Sequence, residues 1–246
     1  MNNISVVIIT LNAEERLDKV LSRASMLSSD IVIVDCGSTD QTEIICRKYA
    51  CQFHQQEWLG YGAQKNYANS LAKHPWILSI DEDEVLSEKL IKEIQSLNLD
   101  EKAVYSIPFI NWYCGKQIKF GRWRNERHVR IFNKTHVSWS EYSVHEGLTI
   151  DFLNSLKLEH PILHYSMNSK SEHLKKAEKY SKLGAKRLHA NNKKASFVKQ
   201  YLNPVFRFVM DYFIFFGFLD GKLGFQIATI SAKETFWKYR QLKSLE

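Results

Sequence analysis

Residues 76–84 read WILSIDEDE, an apolar run that ends abruptly in four acidic side chains. An apolar run of this length is typical of a parallel strand that is buried on both faces. Residues 4–11 and 31–35 repeat the pattern, since each is an apolar run that ends in polar residues. Apolar residues at helical spacing follow each run. The alternation of strand and helix predicts an α/β fold built on a parallel sheet.

The polar residues at the strand ends are the first candidates for a ligand site, because a parallel sheet binds ligands at the carboxyl ends of its strands. These residues are Thr10, Asn12 and Glu14, then Asp35, then Asp81, Glu82, Asp83 and Glu84. Asn12 and Glu15 have the spacing of a capping box and predict the start of the first helix. The sequence has neither a GxGxxG nor a GxxxxGK[ST] motif. Closely spaced carboxylates holding Mg²⁺ or Mn²⁺ are therefore the predicted means of binding a diphosphate.

Composition places the chain among globular proteins. It has 246 residues, of which 44% are hydrophobic and 25% charged, enough apolar side chains for a sizeable core. The four cysteines contain no CxxC pair, which argues against a zinc ribbon or a disulfide framework and for a reducing compartment. The N-terminal apolar run follows Met1 without a basic segment or a cleavage site, so we expect no signal peptide and a cytoplasmic location.

The net charge of +7 is unevenly distributed. Residues 1–156 carry 17 Lys and Arg against 20 Asp and Glu, whereas residues 157–246 carry 17 against 7. A basic excess in the C-terminal third predicts an anionic partner, either a nucleic acid or a membrane surface. Residues 205–219 crowd their aromatic rings together and are fewer than the about 20 residues that span a bilayer. This run favours a helix lying on a membrane over nucleic-acid binding, with a core helix or a dimer contact as the alternative.

Residues 116–130 mix basic and aromatic side chains, among them Arg122, Trp123 and Arg130. Aromatic faces pack against the C–H groups of sugars, and arginines bind phosphates with two parallel hydrogen bonds. The mixture therefore predicts contacts with a phosphorylated oligosaccharide acceptor. Single-stranded nucleic acid and a solvated loop are the alternative interpretations of the same segment.

Several motifs in order resemble family 2 glycosyltransferases of the GT-A fold. They are residues 4–14, VDCGSTDQT at 34–42, GAQKN at 62–66 and DEDE at 81–84. The stretches YSVHE at 142–146 and FLDG at 218–221 are similar to one branch, the bacterial enzymes that add glucose to the inner-core heptose of lipopolysaccharide. The resemblance implies a Rossmann-like nucleotide-sugar-binding domain with a mixed, mainly parallel sheet, followed by a helical appendage.

The resemblance also implies roles for the residues at the first two strand ends. Thr10, Asn12 and Glu14 would line the nucleoside pocket. Asp35 would accept a hydrogen bond from the uracil N3–H and so distinguish uridine from cytidine.

A second group of residues would hold the diphosphate and the metal in the same resemblance. Lys65 and Asn66 would lie near the diphosphate. Asp81-Glu82-Asp83 matches the DxD metal signature, in which Asp83 would be the direct metal ligand and Asp81 would reach the ribose or a metal-bound water. Glu82 departs from the pattern, because the middle residue is usually small or apolar.

An inverting transfer needs a base that removes the proton of the acceptor hydroxyl. Glu146 is our first candidate for this catalytic base and Glu141 is the second. His145 is a candidate contact for a metal or a phosphate, as are His160 and His164. Because Pro161 lies between the last two, we do not expect a zinc-binding helix there.

The sequence thus predicts an inverting, metal-dependent glycosyltransferase that transfers glucose from UDP-glucose to a heptose of the lipopolysaccharide inner core. Its predicted partners are a UDP-sugar donor, a lipid-linked heptose-containing acceptor and the inner, cytoplasmic leaflet of the cell membrane, with no nucleic acid. We expect a catalytic domain at 1–165 and a basic, aromatic appendage at 166–246. The alternatives are a glycosyltransferase of the same fold with another lipid-linked or protein acceptor, and a non-catalytic module that binds RNA or a membrane.

Overall fold

A computed structural model describes residues 3–124, 126–140, 147–150 and 153–246. The chain divides into two compact units. Unit 1 comprises Met1–Phe109 and Arg127–His164, and unit 2 comprises Ile110–Glu126 and Tyr165–Glu246. Residues 110–126, which we expected inside the domain at 1–165, thus group with the C-terminal residues. Backbone pairing within unit 2 accounts for this, because the N–H of Cys114 donates to the carbonyl of Met167 at 2.8 Å.

Strand and helix alternate over residues 4–81 as the sequence predicts, whereas the later part of the chain has consecutive strands followed by consecutive helices. In chain order the elements are β1 (Ile4–Thr10), α1 (Glu14–Ala24), β2 (Ile31–Asp35), α2 (Thr42–Lys48), β3 (Gln52–Gln55), α3 (Tyr61–Leu71), β4 (Trp76–Asp81), β5 (Glu84–Leu86), α4 (Glu88–Ser96), β6 (Ala103–Tyr113), β7 (Lys116–Gln117), β8 (Arg127–Asn133), β9 (Asn154–Lys157), β10 (Ile162–Met167), α5 (Lys170–Ala190), α6 (Phe197–Val209) and α7 (Gly221–Lys243). A π-helical turn at Met210–Ile214 and a 3₁₀ turn at Gly217–Asp220 join α6 to α7.

The strands form a mixed sheet in the order β3-β2-β1-β4-β8-β6-β10-β5. β1 lies parallel to β2 and β4, and β8 is antiparallel to β4 and β6. Every residue of β1 and β2 is buried, which confirms the prediction drawn from their unbroken apolar runs. β3 was missed, because its sequence QFHQ is polar and half-exposed and gives no strand pattern.

The core of unit 1 lies against the parallel strands. Apolar side chains of β1, β2 and β4 pack with Ala68 and Ala72 from the α3 region and with Trp139. Ser87 caps the start of α4, because its hydroxyl accepts a hydrogen bond from the N–H of Leu90. These elements place the carboxyl ends of β1, β2 and β4 side by side.

Unit 2 is mainly helical, and α7 packs against both α5 and α6. The apolar run at 205–219 is not one helix, because α6 begins at Phe197 and the backbone turns at Phe216, whose φ is +60°. No single helix among the described residues is long and apolar enough to cross a membrane. Phe197–Ile214 and Gly217–Lys243 reach that length and composition only together, and they are bent by 71° at the break between them.

Candidate active site

The four acidic residues at 81–84 lie in a tight turn at the end of β4. β4 ends at Asp81, and β5 begins at Glu84, so only two residues separate the strands. Asp83 and Glu84 are buried, whereas the side chain of Asp81 remains 35% exposed. The turn therefore concentrates three carboxylates at the ligand-binding edge of the sheet.

Two buried cations neutralise part of this charge. Lys65 on α3 places Nζ 2.9 Å from Oδ1 of Asp81. Arg130 on β8, the strand beside β4, approaches the other oxygen of Asp81 at 3.2 Å and also donates to Glu84. The cluster therefore has three carboxyl groups and two cations, and its remaining carboxylate oxygens suit an additional cation.

The pKa values of the two carboxyls that touch Arg130 shift in opposite directions. Loss of water would raise the pKa of Asp81, but Lys65 and Arg130 outweigh it and hold that pKa well below its usual range. Burial dominates at Glu84 and raises its pKa to about 7 against the attraction of Arg130. Asp81 is thus held as a carboxylate that orients the two cations.

A group suited to a divalent cation lies beside this ion cluster. Ligand atoms of Asp83, Glu84 and His164 lie within 4.8 Å of one another, and Nε2 of His164 is 3.4 Å from Oδ2 of Asp83. His164 reaches the turn because β10 pairs with β5 and sets it opposite Glu84. The donor set of carboxylate oxygens and an imidazole fits Mg²⁺ or Mn²⁺. Of the histidines considered, His160 instead contacts Glu93 at 3.0 Å.

Asp35 holds the loop after β2. One of its carboxylate oxygens accepts from the backbone N–H groups of Gly37 and Ser38, and the other accepts from the hydroxyls of Ser38 and Thr10. Its side chain is fully buried. A role in binding uracil stays a prediction, and it requires one of the two hydroxyls to turn away from the carboxylate.

The loop after β1 is tied to the loop after β2 by reciprocal hydrogen bonds. Oδ1 of Asn12 accepts from the N–H of Thr39, and Oε2 of Glu14 accepts from the N–H of Gln41. The prediction that Asn12 caps α1 was wrong, because its φ is +53° and the helix begins at Glu14. Asp40 caps the helix from the neighbouring loop instead, accepting from the N–H of Glu14. Asp40 is too far from Asn12 in the sequence for a local capping motif to indicate it.

Lys65 and Asn66 both contact Trp139. The side-chain amide of Asn66 exchanges two hydrogen bonds with the backbone of Trp139, at 2.8 and 2.9 Å. Nζ of Lys65 lies 4.6 Å from the centre of the Trp139 ring. α3 therefore joins the acidic turn to the segment that precedes residue 141. No sequence motif signalled the pairing with Trp139.

The remaining predicted residues fall into three groups. Glu82 is half-buried. Burial of the Cys36 thiol raises its pKa most, and the charges of Asp35 and then Glu82 raise it further. Arg122 and Trp123 belong to unit 2, where Arg122 pairs with Asp211 and Trp123 packs against Tyr113. The last group lies outside the described residues and comprises Glu141, His145 and Glu146.

A mixed α/β sheet with an acidic turn at the end of a parallel strand defines a GT-A glycosyltransferase. The model of the glycosyl transferase family 2 matches residues 5–173, so the chain belongs to this family. An uncharacterised glycosyltransferase of Rickettsia typhi is 30% identical over 257 residues, covering 100% of this chain and 88% of the relative. The lipopolysaccharide core biosynthesis glycosyltransferase LpsC of Rhizobium meliloti is 27% identical over 256 residues, covering 96% of this chain and 93% of LpsC.

Solved structures support the fold at much lower identity. The mannosyltransferase PcManGT from Pyrobaculum calidifontis, in complex with GDP-Man and Mn²⁺, superposes with a TM-score of 0.57 at 12% identity, covering 98% of this chain and 86% of the other. S. aureus TarS 1–349 in complex with UDP-GlcNAc gives a TM-score of 0.51 at 14% identity, covering 99% and 91%. The GT-A fold and the glycosyltransferase class predicted from the sequence are confirmed.

Proposed function

We propose that this glycosyltransferase transfers glucose, with inversion, from UDP-glucose to a heptose of the lipopolysaccharide inner core. The observation that carries the proposal is the acidic turn, where Asp83 and His164 stand beside the ion cluster of Asp81, Lys65 and Arg130. The relation to LpsC, which is named for lipopolysaccharide core biosynthesis, supports the acceptor.

A divalent cation, Mg²⁺ or Mn²⁺, is part of the proposal. Asp83 and His164 would hold it, with Glu84 behind them in contact with Arg130. Such an ion neutralises the diphosphate of a nucleotide sugar and stabilises it as a leaving group. The complex of PcManGT with GDP-Man and Mn²⁺ supports this assignment.

The donor site is proposed at the carboxyl ends of β1, β2 and β4. Thr10, Asn12, Glu14 and Asp35 would surround the nucleoside, because they lie in the two tied loops after β1 and β2. Lys65 would attract the diphosphate, since its ammonium group is already held at the acidic turn. The UDP-GlcNAc complex of TarS supports a uridine nucleotide as the donor.

Glu146 is the proposed catalytic base. It would take the proton from the heptose hydroxyl while the hydroxyl oxygen bonds to C1 of glucose and the bond from C1 to UDP breaks. Glu146→Gln keeps the size of the side chain but cannot accept the proton, so turnover should fall by roughly 10²–10⁴ while UDP affinity stays unchanged. Glu141→Gln is the matched control, and near-normal turnover by Glu146→Gln would transfer the role to Glu141.

A lipid-linked acceptor would require the protein to act at the inner face of the cytoplasmic membrane. The acceptor is lipid-linked, and residues 157–246 carry 17 basic against 7 acidic side chains, which anionic lipids attract. Arg122 and Arg130 remain proposed contacts to acceptor phosphates. Cell fractionation tests the location, and recovery of the protein entirely in the supernatant at low ionic strength would contradict it.

The decisive experiment is a transfer assay with radiolabelled UDP-glucose and lipopolysaccharide truncated at the inner-core heptose. We expect label in the lipopolysaccharide with Mn²⁺, none after chelation with EDTA, and poor transfer from UDP-galactose. Hydrolysis of UDP-glucose without transfer would point to a different acceptor. If the protein neither hydrolyses UDP-glucose nor transfers glucose, but binds RNA in a salt-dependent manner, the non-catalytic alternative would be favoured.

A further inference from the structure

The polarity of helix α6 is the reverse of that expected for a helix in water, because its apolar side chains are on the exposed face. Its buried residues are Gln200 and Pro204, and Asn203 faces α7, where its amide contacts the Tyr239 hydroxyl at 3.2 Å. The residues on its outer face are exposed by 38 to 75%, and they are Phe197, Val198, Tyr201, Leu202, Val205, Phe206 and Val209. The apolar face of α6 is therefore directed away from the protein.

This exposed face continues beyond α6. The further exposed residues are Phe213, Ile214, Phe215, Phe216, Phe218, Leu219 and Phe225. Phe208 joins the two parts, because its ring centre lies 6.3 Å from that of Phe213 and 5.8 Å from that of Phe225. We call these exposed residues of 197–225 the apolar ridge. Contiguous exposed apolar surface of this extent marks an interaction site.

The bend in the middle of the apolar ridge is held by buried polar groups. Asp211 is 4% exposed and lies 2.8 Å from Nε of both Arg122 and Arg207. Two glycines bring the backbones together, since a Cβ on Gly217 would lie 2.5 Å from the carbonyl oxygen of Asp211, and one on Gly224 would lie 1.8 Å from that of Gly217. α6, at 13 residues, is about 20 Å long, against about 30 Å for the apolar layer of a bilayer.

The charges around the apolar ridge are positive. Each exposed charged side chain between residues 191 and 225 is a lysine: Lys193, Lys194, Lys199 and Lys222. The two acids of this stretch are already bound, because Asp211 is buried and Asp220 accepts hydrogen bonds from the N–H groups of Lys119 and Phe120. The ridge and its borders thus complement an apolar layer with anionic headgroups.

We propose that the apolar ridge inserts into the apolar layer of a single leaflet of an anionic lipid bilayer, with α6 in the membrane plane and its lysines among the headgroups. The 71° bend gives the ridge the shape of a wedge, unlike a single straight helix that spans a membrane. A second copy of the chain is a poorer occupant, because a two-fold contact through the ridge brings lysines against lysines without exposed acids to offset them. The inference deepens the membrane location proposed above but requires no sugar transfer.

Flotation of the full chain with vesicles tests the wedge. Vesicles of equal parts phosphatidylcholine and phosphatidylglycerol should carry the protein at low salt, and a fraction should stay bound in molar sodium chloride because the apolar contribution is not screened. Phe206→Ser, Phe213→Ser and Phe216→Ser together should weaken partitioning by about 10²-fold and abolish the salt-resistant fraction. The control variant replaces Lys193, Lys194 and Lys199 with Gln. It should bind vesicles more weakly at low salt but keep the salt-resistant fraction.

Each variant is first checked for its circular dichroism and its UDP affinity. Val205→Ser with Phe206→Ser is the second variant, because both side chains are about 60% exposed and their replacement leaves the buried residues intact. It should lose about tenfold in partitioning if the wedge is correct.

Three results would overturn the proposal. The first is wild-type protein that never floats, and the second is a folded ridge variant that floats as wild type does. The third is a dimer in solution that the ridge substitutions separate into monomers while vesicles bind neither form. Because the vesicles contain neither donor nor heptose, flotation tests the wedge separately from catalysis. Flotation of the protein together with a failed transfer assay would reject the proposed function and leave the wedge standing.

Discussion

Each unit contains one carboxylate that meets two cations, and the two clusters differ in the acidic groups that surround that carboxylate. In unit 1, Asp81 contacts Lys65 and Arg130, and three more acids, Glu82, Asp83 and Glu84, follow directly in the sequence. In unit 2, Asp211 contacts Arg122 and Arg207, and no acidic residue lies within eight positions on either side in the sequence.

The difference separates a candidate ligand-binding site from a cluster that holds the shape of the backbone. The surplus carboxylates of unit 1, together with His164, are suited to a further cation. In the unit 2 cluster, the Asp211 carboxylate is balanced by its two arginines, and the backbone carbonyl of Asp211 lies close to Gly217, so Asp211 stabilises the bend between α6 and α7. Buried charge alone does not identify an active site, whereas an excess of carboxylates in a reachable turn makes that turn a candidate site.

The largest effect should come from Asp83→Asn, which removes a charged ligand from the acidic turn. We expect transfer to fall by about 10³-fold, because a metal supplies several kcal/mol of charge stabilisation, and Mn²⁺ should no longer tighten UDP binding. Calorimetric titration of UDP with and without Mn²⁺ measures this. Glu88→Gln, an exposed acid on α4, is the control. Equal tightening by Mn²⁺ in Asp83→Asn and wild type would refute the metal assignment.

Gly224→Ala should act on unit 2 alone. The added Cβ would lie 1.8 Å from a backbone oxygen that cannot yield easily, so we expect the free energy of unfolding to fall by about 3 kcal/mol while UDP affinity persists. Gly184→Ala is the matched control on α5, because its Cβ meets only the flexible side chain of Lys238 at 3.0 Å. Chemical denaturation of both variants gives the comparison. Equal stability of the two would show that the bend is not tightly packed.

The buried histidine of unit 2 should make stability depend on pH. Burial, followed by the charge of Lys176, lowers the pKa of His173 to about 4, so the unfolded chain binds its proton first as pH falls. The free energy of unfolding should therefore decrease by about 2 kcal/mol from this group as pH falls from about 7.5 to about 5. His173→Phe, which keeps a ring beside Tyr113 and Trp123, should remove that decrease. An unchanged pH profile in the variant would refute the assignment.

The smallest effect is expected for Asn66→Asp. The carboxylate still accepts from the N–H of Trp139 but no longer donates to its carbonyl, so turnover should drop by about tenfold with UDP affinity unchanged. Ser70→Ala, an exposed change on the same helix, is the control. A loss of UDP affinity in Asn66→Asp would instead support the donor-binding role predicted from the sequence.

Local sequence determined β1, β2 and β4, the helical segments that follow them and the acidic turn. Unbroken apolar runs predict buried parallel strands because burial on both faces requires apolar residues at every position, and β1, β2 and β4 satisfy this. The DxD position and its place after a strand follow from the same pattern. The cap of α1 could not be predicted, since Asp40 reaches it across a distance of 26 residues in the sequence.

Tertiary structure decided how these residues combine. His164 becomes a candidate ligand through the pairing of β10 with β5, and Arg130 meets Asp81 through the pairing of β8 with β4. The reversed polarity of α6 likewise appears only once its neighbour α7 shows which face is buried. Composition and periodicity indicate which side chains of a segment are buried, because the apolar residues that burial requires belong to that segment. They do not predict which side chains from distant parts of the sequence come into contact, because strand register and helix packing depend on the whole fold.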